Sequence, residues 1–346
     1  MSAFLADDST VVLAIETSCD ETAASLVMGG NDVLSSVVSS QIDIHARFGG
    51  VVPEVASRAH LESIVPVVRQ AFDEAGILPS RVDLVAATAG PGLIGALLVG
   101  VSAAKSLALA WDKPFIGVNH LEAHLYAGLL DDPTLEFPLV VLLVSGGHTM
   151  IIEMRGHGDY TILGRTIDDA AGEAYDKVAR YLDLGYPGGP VIDRVSTDGD
   201  PASIDFPRAM MHEGLDFSFS GLKTAVVNHV RRNPGVRNVD VAASFQAAVV
   251  DVLCAKTLKA AQQVGARGVV LGGGVAANSL LRSEMQRRGA EAGLKVALPS
   301  RAMCTDNAAM IASAAWHRVR SDGPMGLDCG AWPNLKLSEV PRSTAS

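Results

Sequence analysis

Val11-Val-Leu-Ala-Ile-Glu-Thr-Ser-Cys-Asp-Glu-Thr-Ala-Ala-Ser-Leu-Val-Met28 and Leu139-Val-Val-Leu-Leu-Val-Ser-Gly-Gly-His-Thr-Met-Ile-Ile-Glu-Met154 read alike. Each begins with an apolar run short enough for a buried strand, Val11 to Glu16 and Leu139 to Val144, and passes through a polar turn into a second strand. The turns are Thr17 to Thr22 and Ser145 to Thr149. Further turns, Gly29 to Asp32 and Arg155 to Asp159, lead into third strands near Val33 to Ser39 and Tyr160 to Gly164. Helix and strand material follows each copy: Ala56 to Ala75 and Gly92 to Ala110 around a strand at Leu84 to Thr88, then helices near Asp169 to Leu182, Ser220 to Arg231 and Val241 to Gly265. A repeat of this size implies an α/β protein of two duplicated lobes with a cleft between them. The lobes are expected at residues 10–135 and 136–335, the last helix packing back on the first lobe, with tails at 1–9 and 336–346.

Gly268-Val-Val-Leu-Gly-Gly-Gly-Val-Ala-Ala-Asn278 extends the second copy as a buried strand running through three glycines into a helix. Glycines there let backbone N–H groups approach an adenine or a phosphate, and a helix N-terminus favours negative charge; tight packing would ask for the same residues. Two hairpin turns that face a phosphate, together with a distal glycine loop, are the arrangement of sugar kinases, heat-shock ATPases and actin. The expected architecture is therefore the actin-like ATPase fold, by analogy.

His120 and His124 stand four residues apart in Phe115-Ile-Gly-Val-Asn-His120-Leu-Glu-Ala-His124, just after a predicted strand, Phe115 to Val118, with Asn119 as N-cap of the helix that follows. That spacing puts both imidazoles on one helix face, which suits a metal, although the bare spacing more often marks two surface histidines on an amphipathic helix. A zinc protease is excluded by geometry. Its base directly follows the first ligand, whereas Glu122, two residues on, points roughly 200° from His120 on the helical wheel.

The 346 residues, 48% hydrophobic and 19% charged, describe a globular protein with a large core, and the 34 glycines gather in short clusters. No uninterrupted apolar run of membrane-spanning length and no basic signal-peptide start are seen, so a cytoplasmic protein is expected, with no membrane partner. Cys19, Cys254, Cys304 and Cys329 lack metal-knuckle or disulfide spacing and read as reduced thiols. The net charge of −10 argues against general nucleic-acid affinity, leaving only local patches: Arg231, Arg232 and Arg237, or Arg282, Arg287 and Arg288.

These residues identify the chain as resembling the bacterial TsaD family, tRNA N6-adenosine threonylcarbamoyltransferases formerly labelled O-sialoglycoprotein endopeptidases. The resemblance runs from about Val11 to Pro333. It rests on Ile15-Glu-Thr-Ser-Cys-Asp-Glu-Thr22, Gly49-Gly-Val-Val-Pro-Glu54, Gly90-Pro-Gly92, the Lys105 to Leu125 stretch, Leu143-Val-Ser-Gly-Gly-His-Thr149, Tyr186-Pro-Gly-Gly-Pro190, Phe217-Ser-Phe-Ser-Gly-Leu-Lys-Thr224, Gly272 to Asn278 and Cys304-Thr-Asp-Asn307. It implies that His120, His124 and Asp306 bind one divalent metal ion, iron(II) or zinc, both compatible with imidazole and carboxylate. Read on its own, Asp306 is an N-cap for a helix over Asn307 to Val319; as a ligand it would join the two halves of the sequence across the cleft. The resemblance further implies that Leu143, Val144, Ser145, Gly146, Gly147, Asp176, Gly189, Asp193 and Asn278 contact a bound adenylate.

The implied reaction is transfer of a threonylcarbamoyl group from L-threonylcarbamoyladenylate to N6 of the adenosine at tRNA position 37, releasing AMP. That amine is a weak nucleophile, so positioning and leaving-group stabilisation should dominate. No residue reads as an evident general base; His148 and Glu16 are considered, with packing or turn roles as the alternative for both. The implied partners are TsaB, a shorter homologue of the same fold, and TsaE, a small P-loop ATPase, with the helix near Ala56 to Ala75 as a TsaB-facing surface. Other readings of the same fold are a phosphotransferase or ATPase, an ATP-binding scaffold, and a carbamoyltransferase acting on a small molecule.

Overall fold

The computed structural model describes residues 4–339, which divide into two compact units, residues 4–133 with 306–339, and Thr134–Thr305. Each unit is built on one five-stranded sheet. In the first, β1 (Val11–Glu16), β2 (Glu21–Met28), β3 (Asp32–Ser40), β4 (Leu84–Gly90) and β5 (Phe115–Asn119) lie in the order β3-β2-β1-β4-β5. In the second, β6 (Leu139–Val144), β7 (Thr149–Gly156), β8 (Asp159–Arg165), β9 (Gly268–Gly272) and β10 (Lys295–Ala297) lie in the order β10-β9-β6-β7-β8. Read from the meander edge the two orders coincide. Both sheets have antiparallel pairs through the meander and parallel pairs beyond its first strand. The repeat expected from the hairpins is therefore a repeat of topology.

β1 and β6 are central strands and are buried along their whole length. This is why both read as continuous apolar runs rather than as alternating patterns. In the first unit α2 (Pro53–Ala75) and α3 (Ile94–Trp111) pack on the strands, and α11 (Ala308–Asp322) packs on β1 and β2 with α4 (His120–Asp131) against it. Pro53 at the start of α2 needs no intrahelical N–H, and Gly76, in the left-handed conformation at φ 65°, ends the helix. In the second unit α8 (Asn238–Val264) runs through the core, its buried face dominated by Ala and Val, with α5 (Ala171–Tyr181), α6 (Gly188–Val195), α7 (Ser220–Arg232) and α9 (Ser279–Glu291) around it.

Several expectations are corrected. The second unit ends at Thr305 rather than at residue 335, because the apolar face of α11 is buried against the first sheet. The tails expected at 1–9 and 336–346 are partly built into the fold: Trp316 Nε1 donates to the Asp7 carbonyl at 2.9 Å, Asn119 Nδ2 donates to the Lys336 carbonyl at 3.2 Å, and Leu337 is buried. Residues 1–3 and 340–346 lie outside the described residues. α3 and α8 are each long and apolar enough to cross a bilayer by length and composition. α8 is mostly buried in its own unit, and α3 packs on β4 with its Lys105 Nζ donating to the Cys329 carbonyl. All four cysteines are free thiols.

Candidate metal centre and adenylate turn

The histidine pair stands where β5 ends and α4 begins. Asn119 caps the helix, its Oδ1 accepting from the N–H of Leu121 at 2.9 Å and of Glu122 at 3.3 Å, so the first helical turn and the His120 side chain are fixed together. The two rings meet edge to face with centroids 4.7 Å apart. Asp306 joins them from the other end of the unit's sequence: its Oδ1 is 3.4 Å from His120 Nε2 and 3.3 Å from His124 Nε2. The helix cap expected of Asp306 falls to its neighbour, because Asn307 Oδ1 accepts from Met310 N at 3.0 Å, and the Asp306 carboxylate is left for the histidines. All three residues belong to the first unit. The cluster therefore joins distant stretches of sequence and not two lobes.

A fourth residue completes the group. Glu16, at the end of β1, is fully buried; its carboxylate accepts from Ser18 N, from Thr88 Oγ1, and from His120 Nδ1 at 3.0 Å. A carboxylate that holds the proton on Nδ1 leaves Nε2, which faces Asp306, as the atom that would bind a metal, the arrangement usual for a metal-bound histidine. Burial disfavours a charged His120, but Asp306 and Glu16 on either side outweigh it and hold its pKa well above the usual histidine value. Burial lowers that of His124, favouring the neutral ligand form. Burial also works against the Asp306 charge, yet the two histidines keep its carboxyl far below the usual range. Burial, Asp306 and Asp20 push the nearby Glu21 carboxyl up to about 9. Carboxylates crowd this spot.

The residues present fit a divalent cation. Their three donor atoms lie within 4.8 Å of one another. The His124 ring is 1% exposed; among the described residues its Nδ1 has no hydrogen-bond partner and its Nε2 meets only Asp306 Oδ1, at 3.3 Å. A buried imidazole with so few partners is costly unless something else takes its lone pair. Two imidazoles and one carboxylate suit iron(II) and zinc alike. Glu122, the would-be protease base, is buried on the other side of α4, where its Oε1 accepts from Arg318 Nε at 2.7 Å.

The equivalent turn of the second unit is built differently. Ser145 N donates to the His148 carbonyl at 2.8 Å and His148 N to Ser145 Oγ at 3.2 Å, which closes the turn, while Gly146 and Gly147 at its tip are exposed and a Cβ on either would meet nothing. The N-terminus of α5 abuts this turn: Gly172 N donates to the Ser145 carbonyl at 3.2 Å, and a Cβ at Gly172 would lie 2.5 Å from that oxygen. Two bare glycines beside a helix N-terminus offer free N–H groups to an anion. Leu143 and Val144 are buried in β6, so only their backbone is available. Gly273, at φ 86°, sits where a Cβ would be 2.5 Å from the Val144 carbonyl, so the second glycine loop packs directly behind the turn.

The remaining expected residues hold the surrounding helices together. Asp176 Oδ1 accepts from Gly188 N at 2.7 Å and presents Gly189 at the start of α6, with open space where its Cβ would be. Asp193 accepts from both N and Oγ of Ser279, and Asn278 caps α9 through Leu281 N while its amide donates to Gln246 Oε1 at 2.7 Å. Neither aspartate is a bare helix-surface carboxylate. Thr88, Gln246 and Ser279 escape sequence reasoning. Thr88 alone leaves a signal, as a hydroxyl near the end of an otherwise apolar strand.

Two repeated meander sheets with crossover helices, a glycine turn and a distal glycine loop define a member of the actin-like ATPase fold class. Solved structures of the same fold include full-length HypF in its phosphate- and nucleotide-bound form, at TM-score 0.63 and 14% identity over 93% of this chain and 48% of that one. Component A of Acidaminococcus fermentans (R)-2-hydroxyglutaryl-CoA dehydratase matches at TM-score 0.52 and 14% identity over 89% and 97%. Within that class the chain belongs to the TsaD family, tRNA N6-adenosine threonylcarbamoyltransferase, whose model matches residues 32–313. Relatives of that name include those of Moorella thermoacetica, 56% identical over 95% of this chain and 98% of the relative, and of Symbiobacterium thermophilum, 54% identical over 94% and 97%.

Proposed function

We propose that this protein transfers the threonylcarbamoyl group of L-threonylcarbamoyladenylate to N6 of the adenosine at tRNA position 37 and releases AMP. Membership of the TsaD family over nearly the whole chain carries this reading. In the reaction the exocyclic amine attacks the carbamoyl carbonyl, a C–N bond forms, the C–O bond to the phosphate breaks, and N6 gives up one proton. The amine is poorly nucleophilic, so the protein's part is to hold the carbonyl in reach and to favour departure of the phosphate.

In this reading the N–H groups of Gly146 and Gly147, held in place by the closed Ser145–His148 turn and with the N-terminus of α5 behind them, bind the adenylate phosphate and take up the charge that develops as AMP leaves. Gly189, Asn278 and the helices positioned by Asp176 and Asp193 receive the nucleoside. His120, His124 and Asp306 would hold one divalent cation, iron(II) or zinc. When bound, it supplies Lewis-acid charge to an anionic, oxygen-rich substrate. Glu16 sets the tautomer of His120, and its three hydrogen bonds suit that role better than proton abstraction. A γ-phosphate-transferring kinase fits less well, since its Mg²⁺ would prefer oxygen ligands to two imidazoles.

The cytoplasm, where the tRNA substrate resides, is the compartment this reading requires. An acidic chain gains little from counterion release on RNA, which favours action together with a TsaB-like paralogue and a TsaE-like P-loop ATPase. The test is reconstitution from purified components with tRNA and threonylcarbamoyladenylate, followed by mass spectrometry of the digested nucleosides. Threonylcarbamoyladenosine should accumulate over many turnovers only with both partners and ATP. An unmodified adenosine under all conditions would refute the activity, and full turnover by the lone chain would refute the partner dependence.

A further inference from the structure

The two arginine clusters visible in the sequence have different fates in the fold. Arg287 bridges Glu284 and Glu291 at 2.8 and 2.7 Å, Arg288 bridges Glu284 and Asp251 at 2.7 and 2.6 Å, and Arg282 donates to the Pro299 carbonyl at 2.8 Å. That cluster is neutralised internally. Arg237 is likewise paired, with Asp240 at 2.6 Å. Arg231 and Arg232 make no ion pair or side-chain hydrogen bond among the described residues, and neither does Lys223, earlier on the same helix.

At about 100° per residue, Thr224, Asn228, Arg231 and Arg232 fall on the half of α7 opposite the buried Leu222 and Val226, with Lys223 at its border, half a turn around the helix from Arg232 and with Arg231 between them. All but the half-buried Lys223 are exposed. The face spans about 14 Å along the axis and carries no carboxylate; nor does the whole stretch from Phe217 to Val239. Favourable interaction with the helix dipole would explain arginines in the last turn, but Lys223 lies in the first turn, where a cation is disfavoured. Beside the C-terminal end of α7 opens a groove of about 400 Å³ lined by Ser203, His229, Asn233 and Gly235 among others.

The other end of α7 is tied to the adenylate turn. Asp168 accepts from Ser218 Oγ at 2.6 Å, Phe219 N at 2.9 Å and Ser220 Oγ at 2.7 Å, which anchors the helix start to the loop after β8. That loop runs straight into α5, whose Gly172 bonds Ser145. The helix that carries the free cations is therefore anchored at its start to the loop that leads to the glycine turn.

We propose that the solvent face of α7 binds the phosphate backbone of the tRNA and guides the substrate adenosine toward the adenylate turn. The inference rests on the tRNA-modifying function above. It supplies what net charge alone denies the chain, a local polyanion site on an acidic surface.

The test compares the reconstituted complex carrying Arg231→Gln with Arg232→Gln, or Lys223→Gln alone, with the unsubstituted complex. Anisotropy of labelled tRNA is read over a series of salt concentrations. The double variant should bind at least about tenfold more weakly at low salt, with a slope of log K against log salt shallower by roughly 1.5 to 2, as expected for two lost phosphate contacts. Lys223→Gln should give about half that change in slope. AMP affinity and thermal midpoint should not move. Unchanged tRNA affinity and slope overturn the proposal, as does loss of assembly with the partner proteins while tRNA binding persists. If the unsubstituted complex binds tRNA through this face but never modifies it, the functional reading fails and the surface stands.

Discussion

The turn after β1 and the turn after β6 occupy the same place in two sheets of the same topology, yet one is closed and the other open. In the first, Thr17 and Ser18 are buried: Thr17 Oγ1 donates to the Ala96 carbonyl at 2.8 Å, the Ser18 carbonyl accepts from Leu93 N at 2.8 Å, and His60 Nε2 lies 3.0 Å from the Cys19 carbonyl. In the second, two exposed glycines form the tip. In the function proposed above, the duplicated element serves as the wall of a cation site in one unit and as an anion cradle in the other. The two turns are equal in length but differ in residues: Glu16, Thr17 and Ser18 stand where Val144, Ser145 and Gly146 stand in the repeat.

The largest effect should come from removing the cation site. His124→Ala or Asp306→Ala is expected to take bound metal from about one per chain to near none by elemental analysis. A loss of several kcal/mol of charge stabilisation corresponds to turnover roughly 10³-fold lower. AMP affinity measured by calorimetry should be unchanged, since the adenylate residues belong to the other unit. If those variants keep their metal, the contrast between the turns has no chemical meaning.

Glu16→Gln should act one step further out. It keeps the size of the side chain but weakens its hold on His120 Nδ1, so metal affinity should fall about 10- to 100-fold, as read by titration of the metal-free protein. Equal affinity would reduce Glu16 to a packing residue.

Glycine substitutions sharpen the comparison at the turns themselves. A Cβ at Gly92 would lie 2.5 Å from the Ser18 carbonyl, so Gly92→Ala should cost about 1–3 kcal/mol of stability by overpacking the closed turn. Gly147→Ala meets open space and should cost under about 0.5 kcal/mol, while Gly147→Val should weaken AMP binding. Chemical denaturation and calorimetry separate the two effects, and equal stability losses would mean that the turns are equally packed.

The smallest effect concerns the arginine clusters. Hydrogen bonds from Arg287, and then from Arg288, outweigh the cost of burial and lower the Glu284 carboxyl to about 2. A carboxyl whose pKa falls on folding stabilises fully above its unfolded value, near 4.5, and loses that contribution as pH drops toward 2. Glu284→Gln should therefore lower stability by about 0.5 kcal/mol at neutral pH and leave no difference at pH 2. A difference that persists at pH 2 would show that the arginines do not depend on that charge.

Much of this was legible in the sequence because it depends on local rules. The hairpins, the Asn119 cap, the HxxxH pair and the glycine loop are each decided within a dozen residues. Other features depend on partners far apart in the chain. The bond between His120 and Glu16 crosses 104 positions and the salt bridge between Arg318 and Glu122 crosses 196, and no periodicity announces either. Asp306 and Asn307 are both good N-caps, so sequence alone could not say which would cap α11 and which would turn to the histidines. β10 is three residues long and α6 eight, too short for a pattern to emerge. The free and the neutralised arginine clusters look alike until their acidic partners are in place.

The division of labour between the turns is tested most directly by diffraction from crystals grown with zinc and AMP, using anomalous scattering at the zinc edge. The account predicts a single strong peak bounded by His120 Nε2, His124 Nε2 and Asp306, with the AMP phosphate on the N–H groups of Gly146 and Gly147. A peak held by other residues with the triad bare, or a phosphate bound at the Thr17–Asp20 turn instead, would contradict it.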